Sequence, residues 1–299
     1  MDSFKGIDFQ VNGWGGVDFS SSGLTREGIV RIAELLEQAG TEKFMPTVVT
    51  SSPEVYQSVL PLLAAACEED SRLPGIHLEG PFISPEDGAV GAHPKVHVRE
   101  PSIDHFKRLQ DLAGGHVRLV TLAPEGAGAL GLIEHLVENK VIVSVGHTLA
   151  NSWQIENACH AGATLATHLG NGIPNQLNRT ENTIWAILAS PLSVMLITDG
   201  FHLPPDFIRT VYAAKGAGRI ILTSDAAPVA GQPPGEYEIF GTRVRLTEEG
   251  CVQNLNAPTL AGSGADLTRC ARVCKEVLGV DDTELGQMCF GNAAALLKI

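Results

Sequence analysis

The sequence lacks the features that mark secreted and membrane-spanning proteins. It has no uninterrupted apolar run of about 18 residues, the length that a membrane-spanning helix needs. Its first ten residues, MDSFKGIDFQ, carry neither the basic region nor the apolar core of a secretory signal. We therefore expect a cytoplasmic protein that does not associate with membranes.

Positive charge is also scarce. The chain has 21 Lys and Arg residues against 34 Asp and Glu residues, which gives a formal net charge of −13. An excess of negative charge disfavours partners that are themselves anionic polymers or surfaces. We therefore expect no nucleic-acid partner and no anionic membrane partner, although a few locally placed cations can still bind a small anion.

Cysteine is sparse and forms no metal-binding or redox motif. The sequence contains no C-x-x-C pair, and most of its cysteines fall within helical or apolar stretches. The six positions are 67, 159, 251, 270, 274 and 289. They are typical of reduced packing residues rather than of a disulfide framework or a zinc knuckle.

What the sequence does contain is a regular alternation of short apolar runs and longer helical patterns. The candidate strands are 6–12, 44–49, 74–80, 117–123, 141–147, 163–169, 193–199 and 219–225. Candidate helices between them include 25–39, 53–69, 103–113, 127–139, 151–161 and 204–215. Parallel strands need crossover helices, and eight such strands close a barrel. We predict an α/β fold of the (β/α)8 TIM type, with a doubly wound open sheet as the alternative.

The rest of the chain predicts additions to this barrel. Residues 231–256 contain Gly and Pro breaks typical of a β-hairpin insertion after strand eight, and helices at 264–278 and 281–297 follow. No internal repeat, low-complexity tract or linker divides the sequence. Because 44% of the residues are hydrophobic, one large core is possible. We predict that residues 1–299 form a single barrel domain.

Polar side chains collect where the predicted strands end. Glu79 lies near the end of strand three, His147 of strand five, His168 of strand six and Asp225 of strand eight. Each alone has a simpler interpretation, such as a carboxylate paired with Arg or a residue that caps a helix or turn. The active site of a (β/α)8 barrel lies at these strand ends, however, so the four side chains converge. Buried together, each needs a partner, and a divalent cation provides one.

This residue set predicts a catalytic metal centre. One carboxylate and two imidazoles, from Glu79, His147 and His168, leave one coordination position open for water. Zn²⁺ suits these ligands best, and Fe²⁺, Co²⁺ or Mn²⁺ are compatible with them. A bound divalent ion lowers the pKa of water from about 15.7 towards about 7. Asp225 is then better interpreted as a general base than as a fourth ligand, because it can pass the water's proton to the leaving group.

Eight motifs occur in a specific order. They are Gln10-x-Asn12-Gly13, HLEGPFI (77–83), GAHP (91–94), VGHT (145–148), ATHLGNGIPN (166–175), ITDGFH (197–202), TSDAAPVAG (223–231) and TLAGSGADL (259–267). In these motifs, and over nearly its whole length, the chain resembles the N-acetylglucosamine-6-phosphate deacetylases of the amidohydrolase superfamily. The resemblance implies a metal-dependent barrel hydrolase that converts N-acetylglucosamine 6-phosphate and water into glucosamine 6-phosphate and acetate.

The resemblance also implies roles for the catalytic residues. Glu79, His147 and His168 match the family's metal ligands, and Asp225 matches its catalytic aspartate. His93 matches the histidine that polarises the acetamide oxygen as negative charge develops on it.

Two amides take the place of a second metal site. Many amidohydrolases carry His-x-His at the end of strand one, where this chain has Gln10 and Asn12. Because neither amide is a strong metal ligand, the chain resembles the members that work with one divalent ion.

The same resemblance implies a set of substrate contacts. Asn171 and Gly172 match contacts to the sugar phosphate, and Arg179 matches a phosphate-binding arginine, whose fork suits phosphate oxygens. His202 matches a histidine that a neighbouring subunit contributes, which implies a homodimer. Residues Ala261 and Gly262 belong to a loop whose backbone lines the sugar site in the family.

The chain departs from the family in its ends and in its pocket. The resemblance implies a version without the family's small β-domain, which is assembled from segments before strand one and after the last helix. The segments GNGIPN and DAAP differ from the residues usual in the family, and both are expected to lie in the substrate pocket. Two alternatives therefore stay open: an amidohydrolase for another small N-acyl amine or an unphosphorylated N-acetyl sugar, and a non-catalytic barrel that binds a sugar phosphate.

Overall fold

Parallel strands form a barrel at the centre of the computed structural model, which describes residues 5–299. Its strands, in chain order, are β1 (Gly6–Val11), β2 (Gly13–Trp14), β3 (Val17–Asp18), β4 (Thr41–Val49), β5 (Ile76–Glu79), β6 (Val117–Leu122), β7 (Ile142–Val145), β8 (Leu165–Ala166), β9 (Ser193–Ile197), β10 (Ile220–Thr223), β11 (Gly235–Ile239), β12 (Thr242–Leu246) and β13 (Val252–Asn254). The eight-stranded sheet runs β1-β4-β5-β6-β7-β8-β9-β10, with every neighbouring pair parallel. A parallel bridge between Val11 and Ala226 joins the carboxyl ends of the first and last barrel strands. The predicted barrel is confirmed.

Helices cross from one barrel strand to the next, and further helices follow the last barrel strand. They are α1 (Arg26–Gln38), α2 (Pro53–Glu69), α3 (Ile103–Leu112), α4 (Ala129–Glu138), α5 (Ser152–His160), α6 (Thr183–Ala189), α7 (Pro205–Lys215), α8 (Leu267–Leu278), α9 (Asp282–Gly286) and α10 (Asn292–Leu297). Short 3₁₀ turns occupy Lys95–His97 and Ala217–Arg219. The start signals act as predicted: the Ser52 side chain accepts the N–H of Val55, and Pro53 takes the first helical position of α2. No helix within residues 5–299 is both long enough and apolar enough to cross a membrane.

Three elements differ from the sequence prediction. The segment after β10 is a three-stranded antiparallel sheet rather than a hairpin, because a turn at 247–250 returns β13 to the free edge of β12. Helix α6 was not predicted. The predicted helix at 281–297 contains a π-helical turn, Gln287–Gly291, between α9 and α10.

The inside of the barrel is divided into an apolar end and a polar end. Side chains from the amino-terminal halves of the strands pack with α10 in one buried cluster: Ile7, Phe9, Met45, Leu119, Leu165, Met195, Ile221, Ala293 and Leu297. Nearer the carboxyl ends, buried hydroxyl groups and one imidazole bond to each other: Thr47, His77, Thr121, Ser144 and Thr167. This arrangement supports polar side chains at the carboxyl rim.

Candidate active site

The three predicted metal ligands meet at the carboxyl rim of the barrel. Glu79 is the last residue of β5, and His147 and His168 lie two residues beyond the ends of β7 and β8. His168 Nε2 is 2.9 Å from Glu79 Oε1 and 3.2 Å from His147 Nε2, and His147 Nε2 is 3.3 Å from the same Glu79 oxygen. Ligand atoms bound tetrahedrally at 2.0–2.1 Å from a Zn²⁺ ion are about 3.3 Å apart.

Hydrogen bonding fixes which His147 nitrogen faces this cluster. Its Nδ1 lies 2.7 Å from the carbonyl oxygen of Ala89, and because a carbonyl only accepts, Nδ1 carries the ring proton of the neutral form. The Nε2 lone pair is therefore directed at Glu79 and His168. A buried lone pair beside a carboxylate oxygen needs a positive partner, so the residues fit a divalent cation.

The residues that follow the strands adopt an unusual backbone conformation. His147, His168 and Asp225 have φ angles of +50°, +26° and +50°. Residues other than Gly adopt such angles at a cost of about 1–2 kcal/mol each, and strain of this kind concentrates at functional sites. The turn at each of these positions ends its strand about two residues earlier than predicted.

Asp225 is held against the metal centre by the two strand-one amides. Its Oδ1 accepts hydrogen bonds from Gln10 Nε2 at 2.9 Å and from Asn12 Nδ2 at 2.7 Å. Gln10 Nε2 also donates to Glu79 Oε1 at 2.7 Å. Both amides thus bind carboxylates, and Oδ2 of Asp225 stays available for a proton. Burial, followed by the negative charge of Glu79, raises the pKa of Asp225 above its ordinary value, which suits a group that exchanges protons near neutral pH.

His93 presents an N–H group to the same space. The backbone N–H of Thr50 donates to its Nδ1 at 3.3 Å, and Thr50 Oγ1 lies 2.9 Å from that atom. Because a backbone N–H only donates, Nδ1 is an acceptor and the neutral ring carries its proton on Nε2. Burial, with a smaller effect of His147, lowers the pKa of His93 to about 4 and keeps the ring neutral.

A cavity of about 580 Å³ opens above these residues, a size typical of small-molecule sites. One wall carries the metal centre with His93 and Asp225. The facing wall comes from β13, the segment after it and the β11–β12 turn, and includes Phe240, Gln253, Asn254, Leu255 and Thr259. The three-stranded sheet after β10 therefore helps to enclose the site.

Most of the predicted substrate contacts lie on this cavity. Asn171, Gly172, His202 and Gly262 line it, whereas the Ala261 side chain is buried in a neighbouring apolar cluster. Gly172 has a φ of +59°, and a Cβ there would lie 2.8 Å from His147 Nδ1, so glycine lets the loop after β8 approach the ligand closely.

Two of the predicted substrate contacts involve residues that occupy different positions in the single chain. Arg179 is exposed and is not among the residues that line the cavity of its own chain, and its carbonyl accepts the indole N–H of Trp185, so its predicted phosphate contact stays a prediction. His202 lines the cavity of its own chain, where Asp199 binds its ring, and the predicted contribution of this histidine across a subunit interface stays a prediction.

Sequence reasoning gave no role to Thr50 or Asp199. Thr50 directly follows β4 and orients His93, and Asp199 lies two residues after β9 and binds His202. Both occupy carboxyl strand ends, so the signal that identified the metal ligands also applies to them.

Comparisons with known proteins identify relatives of this chain. No protein-family model matches the sequence. The chain is 35% identical over 300 residues to the N-acetylglucosamine-6-phosphate deacetylase of Bacillus subtilis strain 168, covering 98% of this chain and 74% of that protein. The human protein of the same name is 34% identical over 280 residues, covering 89% and 67%.

Solved structures extend the similarity to the fold. A mutant of the N-acetyl-D-glucosamine-6-phosphate deacetylase of Mycobacterium smegmatis, in complex with N-acetyl-D-glucosamine-6-phosphate, superposes with a TM-score of 0.91 at 30% identity, covering 99% of this chain and 78% of that chain. The Thermotoga maritima N-acetylglucosamine-6-phosphate deacetylase superposes with a TM-score of 0.88 at 27% identity, covering 99% and 78%. The chain therefore belongs to the N-acetylglucosamine-6-phosphate deacetylase family.

Proposed function

We propose that this chain, as one barrel domain, hydrolyses the N-acetyl group of N-acetylglucosamine 6-phosphate to yield glucosamine 6-phosphate and acetate. The observation that carries the proposal is the convergence of Glu79, His147 and His168 beside Asp225 in a member of this family. The names of the relatives identify the substrate class.

Glu79 Oε1, His147 Nε2 and His168 Nε2 would hold one divalent ion, and we assign Zn²⁺ from the two-nitrogen, one-oxygen ligand set. When bound, such an ion supplies Lewis-acid chemistry by polarising an oxygen of water or of the substrate carbonyl. The Ala89 carbonyl keeps His147 in the tautomer that can serve as a ligand.

The remaining chemistry falls to two side chains. Asp225 accepts a proton from the attacking water as the new C–O bond forms, and then delivers that proton to the amine nitrogen as the C–N bond breaks. His93 donates its Nε2–H to the acetamide oxygen as negative charge develops there. Gln10 and Asn12 donate to Asp225 Oδ1 and leave Oδ2 for the proton.

We assign the sugar phosphate to the part of the cavity lined by Asn171, Gly172, His202 and Gly262. The backbone N–H groups of the glycines can approach an anion closely because no Cβ intervenes. His202 supplies a ring nitrogen to the same space.

A homodimer is part of the proposal. Trp153 and Trp185 are 68% and 51% exposed, which is unusual for tryptophan and typical of a surface that binds another chain. Sedimentation equilibrium of the purified protein measures the subunit number directly, and a monomer at micromolar concentration contradicts this part of the proposal.

We also place the protein in the cytoplasm. All six cysteines are free thiols. Persistent free thiols are the usual state of cysteine in a reducing compartment.

An acetate-release assay on wild type and Asp225→Asn tests the proposed function. We expect turnover of N-acetylglucosamine 6-phosphate by the wild type and a loss of at least about 100-fold in kcat in the variant, because the proton acceptor is removed. The metal content of both proteins should be equal. Binding without acetate release would favour the non-catalytic alternative, and equal kcat/KM for the unphosphorylated sugar would favour the other amidohydrolase.

A further inference from the structure

Asp199 is a buried carboxylate with four hydrogen-bond donors. It lies two residues after β9, and its exposed fraction is 1%. Oδ1 accepts the backbone N–H groups of Phe201 at 2.9 Å and His202 at 3.0 Å. Oδ2 accepts from His202 Nδ1 at 2.8 Å and from the Ser263 hydroxyl at 3.0 Å. Both oxygens of the carboxylate therefore accept hydrogen bonds from segments that border the cavity.

The contact with Oδ2 determines the state of the His202 ring. A carboxylate only accepts, so Nδ1 carries a proton and Nε2 is the nitrogen left for the cavity. Burial would raise the pKa of Asp199, but the bond and charge of His202 outweigh it and lower that pKa to about 2, so the group is an anion. Because phosphate oxygens accept, Nε2 has to carry a proton when it binds them, and the carboxylate at Nδ1 then balances the positive charge of the ring.

The cavity offers an anion few other positive partners. Among the described residues that line it there is no Lys and no Arg. Its other histidines lie at the metal centre: His147 and His168 are candidate ligands, and His93 Nε2 lies 3.5 Å from Glu79 Oε2. His202 is therefore the lining side chain, away from the metal, that can carry positive charge.

The second contact of Oδ2 reaches the loop that follows β13. The N–H of Ser263 donates to the carbonyl of Asp225 at 2.9 Å, and its carbonyl accepts the N–H of Ala227 at 2.8 Å. Ser263 adjoins Gly262, which lines the sugar site. Asp199 thus connects the imidazole to the loop beside the proposed proton acceptor.

We propose that Asp199 is a positioning residue that sets specificity for the phosphate of the substrate, by holding His202 as a cationic donor and fixing the loop that carries Gly262. The proposal rests on the proposed function. A neutral side chain at position 199 leaves His202 free to become neutral and to rotate, so the phosphate loses a charge-assisted hydrogen bond.

Steady-state kinetics of Asp199→Asn test this role. Asparagine keeps the size and one oxygen for the backbone N–H groups, but its amide nitrogen cannot accept from His202 Nδ1. We expect the ratio of kcat/KM for N-acetylglucosamine 6-phosphate to that for N-acetylglucosamine to fall about tenfold, mainly through KM. The plain sugar should lose much less. An equal loss for both sugars overturns the proposal, because a purely structural defect does not distinguish them.

A double-mutant comparison and one spectroscopic measurement complete the test. In a His202→Gln background, Asp199→Asn should cause no further loss of phosphate preference, and an additional loss of the same size overturns the proposal. If Asp199→Asn does not fold, ¹⁵N NMR of the metal-loaded wild type with inorganic phosphate still decides: protonated signals from both His202 nitrogens support the proposal, and a neutral ring overturns it. If the wild type itself shows no preference for the phosphorylated sugar, the proposed substrate is wrong. If the wild type shows the preference and Asp199→Asn keeps it, only the role of Asp199 is wrong.

Discussion

At the scale of single residues, the site depends on which ring nitrogen carries a proton. Thr50 places two donors, its backbone N–H and its hydroxyl, within 3.3 Å and 2.9 Å of His93 Nδ1. Both favour the tautomer with the proton on Nε2, which is the atom that must donate to the acetamide oxygen. Thr50 therefore acts through His93 and not on the substrate.

Replacing Thr50 tests this dependence. We expect Thr50→Val to lower kcat about tenfold with little change in KM, because the hydroxyl that helps to hold the Nε2 proton of His93 in place is lost and the hydrogen bond to the developing oxyanion weakens. Thr50→Ser, which keeps the hydroxyl, should restore most of the rate. The measurement is steady-state acetate release from N-acetylglucosamine 6-phosphate at saturating metal.

The control places the same change in a chain that lacks the imidazole. In a His93→Ala background, Thr50→Val should have no further effect on kcat, since the two residues act as one unit. A further tenfold loss there would show that Thr50 contributes by another route.

The residues that could be predicted are those with few alternative explanations. Carboxylate and imidazole groups are costly to bury, so Glu79, His147 and His168 at strand ends indicated a metal centre without a structure. Thr50 also lies at a carboxyl strand end, but its role depends on a partner 43 positions away, which its position alone does not reveal.

At the scale of elements, the order of strands and helices followed from hydrophobic periodicity, but the strand ends did not. The apolar pattern continues through His147, His168 and Asp225, whereas the backbone turns into the left-handed region at each of them. Periodicity reports burial and not backbone angle. Helix α6 has only seven residues, too few to show a helical period.

The loop after β8 provides a prediction about element packing. In Gly172→Ala, the added Cβ would lie 2.8 Å from His147 Nδ1, so the ring or the loop must shift, and the hydrogen bond between Nδ1 and the Ala89 carbonyl is disturbed. We expect weaker metal binding, by about tenfold or more, because the metal ligand His147 loses the hydrogen bond that orients its ring. Competition with a chromophoric chelator measures the affinity.

Gly279→Ala is the matched control for this substitution. Gly279 ends α8 with a φ of +68°, and a Cβ there meets nothing within 4 Å. Both variants should lose about 1–2 kcal/mol of unfolding free energy from backbone strain. Only Gly172→Ala should lose metal affinity, and equal affinity in the two proteins would refute the proposed clash.

At the scale of the whole molecule, the metal centre connects strands that are distant in sequence. Its ligands come from β5 and from the turns after β7 and β8, which span residues 79 to 168 of the barrel. Without a cation, the His147 lone pair faces a carboxylate oxygen at 3.3 Å, which destabilises the closed rim. A cation that binds only the folded chain should therefore stabilise the entire barrel.

Removing the metal is the corresponding experiment. A ligand at about 1,000 times its Kd adds about 4 kcal/mol to the unfolding free energy, so a chelator should lower the Tm of the wild type and added Zn²⁺ should restore it. Glu79→Gln, which replaces the anionic ligand with an amide, should unfold at a temperature that neither chelator nor Zn²⁺ changes. Differential scanning calorimetry of both proteins measures these temperatures. A wild-type Tm that does not respond to chelation would mean that the three ligands hold no tightly bound ion, because linkage requires a stability change whenever one is released.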